Sequence, residues 1–248
     1  MRSINTDGRG AMDLAKVVFF GRTGEEALRF FDLDLEPWRG RRVLDCPGGP
    51  GAFTALARVQ GVEAVAVDPL YGRSAEELER QALADIDHHT RTALRSGHLR
   101  PGFDLEAYHR DKRVALATFL ADLRAHPSAY VAGALPELPF DDGAFDLVLS
   151  GHLLFSYSPQ GDGGLLEGSP FDLAWHRRAL AELLRVSRQE VRLYPVHTIT
   201  QPARPHPYLA ALLQELPTPW SAQLTQPSYD QGFDGETPGL TLQRSLRP

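Results

Sequence analysis

The chain has 248 residues, of which 42% are hydrophobic and 23% charged. That is enough apolar material to bury a core, and it excludes a disordered chain. A formal charge of −6 argues against non-specific nucleic-acid binding, which depends on Lys and Arg neutralising phosphates. Cys46 is the one cysteine, so a disulfide framework is excluded too.

In chain order, residues 1–10 are polar and hold no apolar run of signal-peptide length; no later stretch approaches a membrane span. The expectation is a cytoplasmic protein with no membrane partner. An apolar segment at 17–20 precedes Thr23 and Glu26, a capping-box pair that starts a helix running to about Asp32. Residues 42–45 read as a short buried strand, 46–51 as a Gly/Pro loop, and Phe53, Leu56 and Ala57 as a helix stopped near Gly61. Residues 63–67 form a second strand ending at Asp68. Strand, Gly-rich turn, helix, strand is the βαβ unit of a doubly wound sheet.

Ser74 with Glu77 caps a helix to about Leu94, and Asp104 caps another to about His126. One crossover needs far fewer residues, so 74–127 reads as a helical insertion or lid, with 1–40 as an N-terminal helical cover. Strands resume at 130–135 and 145–150, and residues 156–169, rich in Gly, Ser and Pro, read as a flexible loop. A helix opens at Ser169-Pro170 with proline at its first position and runs to Val186. A strand at 190–196, a helix at 208–216 and a strand pair at 222–226 and 240–246 complete a single domain over 1–248.

The turn at 45–51 carries the chemistry. Glycines at a strand end let a ligand reach the backbone, and the following helix start offers N–H groups. Asp68, 19 residues after Gly49, stands where a carboxylate accepts from both ribose hydroxyls. A nicotinamide dinucleotide needs a third glycine for close helix packing, and that position is Thr54. S-adenosylmethionine has no pyrophosphate, tolerates the change, and suits an acidic strand end such as Asp45.

Val43-Leu44-Asp45 with Gly49 and Gly51 resembles the first motif of class I S-adenosylmethionine-dependent methyltransferases, and Ala66-Val67-Asp68-Pro69 their second. Residues 138–148 resemble the segment leading into their fourth strand, and 180–186 the helix before their fifth. The resemblance spans about 43–196. It implies an α/β, Rossmann-like, mostly parallel seven-stranded sheet with an antiparallel C-terminal hairpin, and S-adenosylmethionine as cofactor. It leaves the methyl acceptor open. Pro47 departs from the usual first glycine and removes a donor. Ala134 stands where many members carry an Asp, and Ser187-Arg188-Gln189 where a Pro-Gly-Gly-type turn is usual.

The cofactor-site candidates are therefore Arg22, Asp45, Pro47, Gly48, Gly49, Asp68, Pro69, Ala134, Leu135, Ser150 and Gly151. Arg22 is set against the methionine carboxylate, for which a guanidinium has the right geometry. His152, after the fourth strand, is a candidate base, weighed against a pocket-lining or packed histidine. Tyr71 and Tyr157 are candidates to close over a sulfonium, weighed against loop packing. Asp85 and His89, one helical turn apart, have metal-ligand spacing, but a solvated helix face is the expected reading and no metal is expected. Cys46 is expected to be a small buried residue rather than a nucleophile.

The function expected is methyl transfer to a small-molecule acceptor. The alternatives are a non-catalytic cofactor-binding or protein-interaction domain and an RNA or protein methyltransferase.

Overall fold

The computed structural model describes residues 16–96 and 99–245, except the side chains of residue 90 and residues 93–96. Seven strands, β1 (Arg42–Asp45), β2 (Glu63–Asp68), β3 (Tyr130–Ala132), β4 (Phe145–Gly151), β5 (Ser187–Tyr194), β6 (Trp220–Thr225) and β7 (Gly239–Arg244), form one sheet. Its order is β3-β2-β1-β4-β5-β7-β6. Strands β3 through β5 pair in parallel, whereas β7 runs antiparallel to both β5 and β6. This is the doubly wound sheet with a C-terminal hairpin that the resemblance implies.

The central strands are buried on both faces, and alternate residues serve opposite cores. Val43 and Leu147 pack beneath the helices α1 (Gly24–Phe30) and α2 (Phe53–Val59) with Ala27, Phe30, Phe53 and Ala57. Leu44 and Val148 face the other way, against α5 (Leu173–Val186) and α6 (Pro207–Gln214).

Both expected capping boxes form. Thr23 Oγ1 accepts from Glu26 N at 3.1 Å while Glu26 Oε2 accepts from Thr23 N at 2.8 Å. Ser74 and Glu77 make the same reciprocal pair at 3.2 and 2.9 Å, and Asp104 accepts from Ala107 N at 2.8 Å. They open α1, α3 (Ala75–Ser96) and α4 (Leu105–Ala125).

Helices α3 and α4 fill the connection between β2 and β3, and both contribute to the core. Leu78, Ala82, Ile86, Leu116 and Phe119 are buried with Ala66 and Tyr130 of the sheet. Phe119 stacks on Tyr71 with centroids 5.7 Å apart and meets Tyr130 edge-on at 5.4 Å.

The structure changes three readings. The helix expected from Pro170 begins at Leu173, because Asp172 Oδ1 accepts from Trp175 N at 2.8 Å and takes the cap. Ser169 Oγ instead donates to Tyr157 O and accepts from Phe171 N. The loop expected at 156–169 is folded into two tight turns, Phe155–Tyr157 and Gln160–Asp162, and buries Tyr157, Leu165 and Leu166. On α3, Asp87 and His88 are exposed but Asp85 and His89 are buried, so the solvated-face reading fails for that pair. Asp85 accepts from Phe19 N at 2.8 Å and pairs with Lys16 at 2.9 Å, and His89 packs on Phe20 at 4.7 Å between centroids.

Because Phe119 is fully enclosed, Phe119→Ala should lower the unfolding free energy by about 3–5 kcal/mol. Urea unfolding followed by far-UV circular dichroism checks this. An unchanged midpoint would mean that α4 is an appended lid rather than part of the core.

Candidate functional site

The sheet order reverses between β1 and β4, and the crevice beyond the carboxyl ends of strands at such a point is where ligands bind in open α/β sheets. A cavity of about 400 Å³ lies there. The turn after β1 forms its floor. Cys46 N donates to Leu149 O at 2.9 Å and Gly48 N to Val67 O at 3.0 Å, which pins the turn between β4 and β2. Gly48 has no room for a Cβ, which would lie 2.6 Å from Tyr71 Oη and 2.7 Å from Ala66 Cβ. Gly49 has φ +51, and a Cβ there would meet no protein atom within 4 Å. It would occupy space at the cavity wall instead.

Asp68 closes β2 and accepts from Gly49 N at 3.2 Å through Oδ2 and from Leu70 N at 2.9 Å through Oδ1. Burial pushes its carboxyl up to about 6 despite these bonds. Asp45 is also buried, and desolvation together with the Asp68 charge pushes it up to about 8. Two buried acids thus face one cavity end with no cationic side chain lining that end.

The opposite charge stands across the cavity. The segment at 17–22 crosses the site, held by Ala52 N donating to Arg22 O at 2.9 Å and Val18 N donating to Tyr157 Oη at 3.3 Å. The Arg22 guanidinium lies over the rings of Phe20 and Tyr108, 5.2 and 5.3 Å from their centroids. Its enclosed Nε has no hydrogen-bond partner. Beside it Lys112, 1% exposed, donates to Glu26 Oε1 and Oε2 at 2.9 and 3.1 Å. Tyr229 Oη donates to Glu26 Oε1 at 2.9 Å. Although burial alone would raise it, Lys112 and Arg22 hold the Glu26 carboxyl down at about 2. One carboxylate serves two cations, and burial together with Arg22 pushes Lys112 down to about 7.

His152 follows β4 in the left-handed region, φ 56, a conformation that costs a non-glycine residue about 1–3 kcal/mol. Its N–H donates to Tyr194 O at 2.7 Å, and its ring packs on Phe30, Tyr194 and Tyr229. Burial, with Arg22 and Lys112 nearby, pushes the imidazole well below its usual value, and Nε2 has no partner.

Of the residues singled out from sequence, Arg22, Asp45, Pro47, Gly48, Gly49, Asp68, Pro69, Ala134, Leu135, Gly151, His152 and Tyr157 line this cavity. Cys46 lines it as well, buried, with its thiol pushed up by desolvation and by Asp45. Two candidates lie elsewhere. Tyr71 sits beneath the turn, donating to Gly49 O at 2.5 Å, so it supports the floor and does not face the cavity. Ser150 is buried within β4 and does not line the cavity. Sequence reasoning missed Lys112, Tyr108 and Tyr229, and took Glu26 for a cap alone. Only a conspicuous lysine among apolar positions of α4 could have signalled the pair. Among the described residues, no group of three potential metal ligands gathers, and no helix is long and apolar enough to cross a membrane.

For both raised acids the sign is the same. The folded protein keeps a proton that the unfolded chain releases near pH 4, so stability falls as pH rises from there through about 8. Asp45→Asn should remove most of that slope and raise ligand-free stability at pH 8 by roughly 1–3 kcal/mol. Urea titrations of both proteins at pH 6 and 8 check it, and parallel behaviour would count against a desolvated Asp45.

No protein-family model matches the chain, and no curated protein does. Among solved structures it is similar to the 1,6-didemethyltoxoflavin-N1-methyltransferase of Burkholderia thailandensis, with bound 1,6-didemethyltoxoflavin and S-adenosylhomocysteine. The two are 15% identical over 86% of this chain and 78% of that one, with a TM-score of 0.46. It is also similar to magnesium protoporphyrin IX methyltransferase of Synechocystis PCC 6803 with bound S-adenosylmethionine, at 14% identity over 90% and 77% and a TM-score of 0.44. A protein of Pyrococcus horikoshii OT3 is 15% identical over 89% of each chain, with a TM-score of 0.47. On its own strand order, with β7 alone running against the rest, the chain has the fold of the class I S-adenosylmethionine-dependent methyltransferases.

Proposed function

We propose that the protein is an S-adenosylmethionine-dependent methyltransferase acting on a small-molecule acceptor. The observation that carries this reading is the charge arrangement of the cavity. Two carboxyls, Asp45 and Asp68, lie at the end built by the glycine turn, and the Arg22 guanidinium, which shares its one carboxylate with Lys112 behind it, lines the other.

The residues fit the cofactor on their own chemistry. Asp68 keeps lone pairs beyond its two backbone bonds, and these accept from ribose hydroxyls. Ala134 and Leu135 follow β3 and supply the apolar wall for adenine. Arg22, with its unpaired Nε and one carboxylate shared with Lys112, takes the methionine carboxylate as the second anion of that cluster. Asp45, raised by burial for want of a cation, is set against the positive charge of the ligand.

Once bound, the cofactor supplies a methyl group on a sulfonium. The protein's part is to hold the acceptor in line, since positioning alone supplies roughly 7–11 kcal/mol. His152 is neutral across physiological pH, and its unpartnered Nε2 accepts the proton of a protonated acceptor. The buried walls exclude water, which strengthens each of these interactions.

Calorimetry with S-adenosylmethionine and S-adenosylhomocysteine tests the reading directly, and a folded protein that binds neither refutes it. Asp68→Ala should weaken both by tenfold or more. Arg22→Met should weaken S-adenosylhomocysteine by at least tenfold yet leave 5′-methylthioadenosine, which has no carboxylate, unchanged. Equal losses for the two ligands would remove Arg22 from that role.

Because Asp45 is mostly protonated at pH 7 and must ionise to meet a cation, cofactor binding should release protons. Affinity should then rise from pH 6 to about pH 8. Binding enthalpies compared in buffers of different ionisation heat measure the proton count, and proton uptake would contradict this assignment.

A further inference from the structure

The cavity continues past the glycine turn, towards the β4 and β5 side of the sheet, into an arm of different character. Phe171 and Trp175, from the start of α5, form one wall as a ring pair with centroids 4.5 Å apart. Leu165 of the folded loop and Ile199 beyond β5 add aliphatic surface, and Phe103 and Phe233, far apart in sequence, line the cavity as well. The last two are brought together by a clamp. Arg100 N donates to Gly232 O at 2.8 Å, the Arg100 side chain pairs with Asp230, and a Cβ on Gly232 would stand 3.0 Å from the Phe103 ring.

Among the described residues, the only charged side chains lining the whole cavity are Arg22, Asp45 and Asp68, and all three are assigned to the cofactor above. The arm offers an ammonium ion no carboxylate of its own. A carboxylate would lose its hydration with Arg22 already committed, a cost that a buried charge recovers only from a partner.

Three of the neutral polar atoms that remain are unsatisfied. Ser156 Oγ, Gln231 Oε1 and His152 Nε2 are enclosed, lack hydrogen-bond partners and belong to cavity-lining residues. An orphaned buried polar atom costs about 1–3 kcal/mol, and a ligand that supplies its partner recovers that cost. Gln231 Oε1 can only accept, so the ligand must carry a donor. Aromatic walls favour a flat ring, whose edges and faces meet them in offset or edge-on contact.

We infer that the acceptor is an uncharged aromatic molecule carrying a hydroxyl. Its ring lies among Phe171, Trp175, Leu165 and Ile199, and its hydroxyl accepts from Ser156 Oγ and gives its one proton to one of the two acceptors, Gln231 Oε1 and His152 Nε2. This deepens the methyltransferase reading and rests on it.

Three probes of one ring system separate the possibilities: 2-naphthol, 2-naphthoate and 2-naphthylmethylammonium, each titrated calorimetrically into the protein with and without S-adenosylhomocysteine. The expected result is 2-naphthol binding at least tenfold more tightly than either charged probe in the presence of S-adenosylhomocysteine. Phe233→Asp, which puts a carboxylate in the arm, should tighten 2-naphthylmethylammonium and weaken 2-naphthol while S-adenosylhomocysteine affinity stays at the parent value.

If S-adenosylhomocysteine binds but the three probes bind equally, bind in the reverse order or do not bind at all, the acceptor class is overturned and the cofactor reading stands. If 2-naphthol is preferred but S-adenosylhomocysteine does not bind, the methyltransferase reading falls and the acceptor assignment falls with it.

Discussion

The Glu26 carboxylate is the constraint on which the rest of the site depends. It accepts from Thr23 N, from the Lys112 ammonium and from Tyr229 Oη, and so joins three stretches of chain far apart in sequence. Removing either partner of a buried ion pair strands the other charge, at about 3–5 kcal/mol. Helix α1 is therefore fastened to α4 and to the C-terminal loop at Glu26. That fastening sets the position of Arg22, four residues before Glu26, and with it the far wall of the cavity. A capping residue has been given a second task. The same carboxylate that opens α1 neutralises the core of the site.

Charge runs unevenly along the cavity as a result. Burial and the Asp68 charge raise Asp45 at the glycine turn, while Arg22 and Lys112 share a single counter-ion at the other side. Neither end is at rest alone. Burying an unpaired acid, or a second cation without its anion, costs free energy that the fold carries. A ligand with separated charges of both signs relieves both ends in one event, and its orientation follows from the sign of each end. This is a more specific demand than a glycine-rich turn makes by itself, because such a turn admits any group that approaches a backbone closely.

Much of the frame was legible in the residues. The strand at 42–45 has the bounds expected of it, and the capping pairs Thr23/Glu26 and Ser74/Glu77 mark real helix starts, because caps and buried strands are local chemistry. Asp172 against Pro170 shows the limit of even that. The proline marked the neighbourhood of the start, but the cap is Asp172, whose side chain accepts from Trp175 N in the first turn. The cofactor half of the site was legible because one turn and the next strand end carry most of it. The other half was not. Lys112 looks like any charged position on an amphipathic helix until Glu26, 86 residues away, is folded against it. Tyr71 lay in the right neighbourhood but on the wrong side of the turn, which neighbourhood alone cannot reveal. Asp85 and His89 have the spacing of metal ligands, yet a backbone N–H and an aromatic ring claim them.

The distribution of unsatisfied polar atoms carries the argument further than the motif does. A protein core tolerates few of them, since each costs about 1–3 kcal/mol. Here Arg22 Nε, His152 Nε2, Ser156 Oγ and Gln231 Oε1 all belong to residues of one cavity. They come from the N-terminal segment, the end of β4, the folded loop and the C-terminal loop, so no single strained turn accounts for them. His152 adds a left-handed backbone to its unpaired nitrogen. Polar groups kept without protein partners in an aromatic space are the complement of a molecule that brings its own.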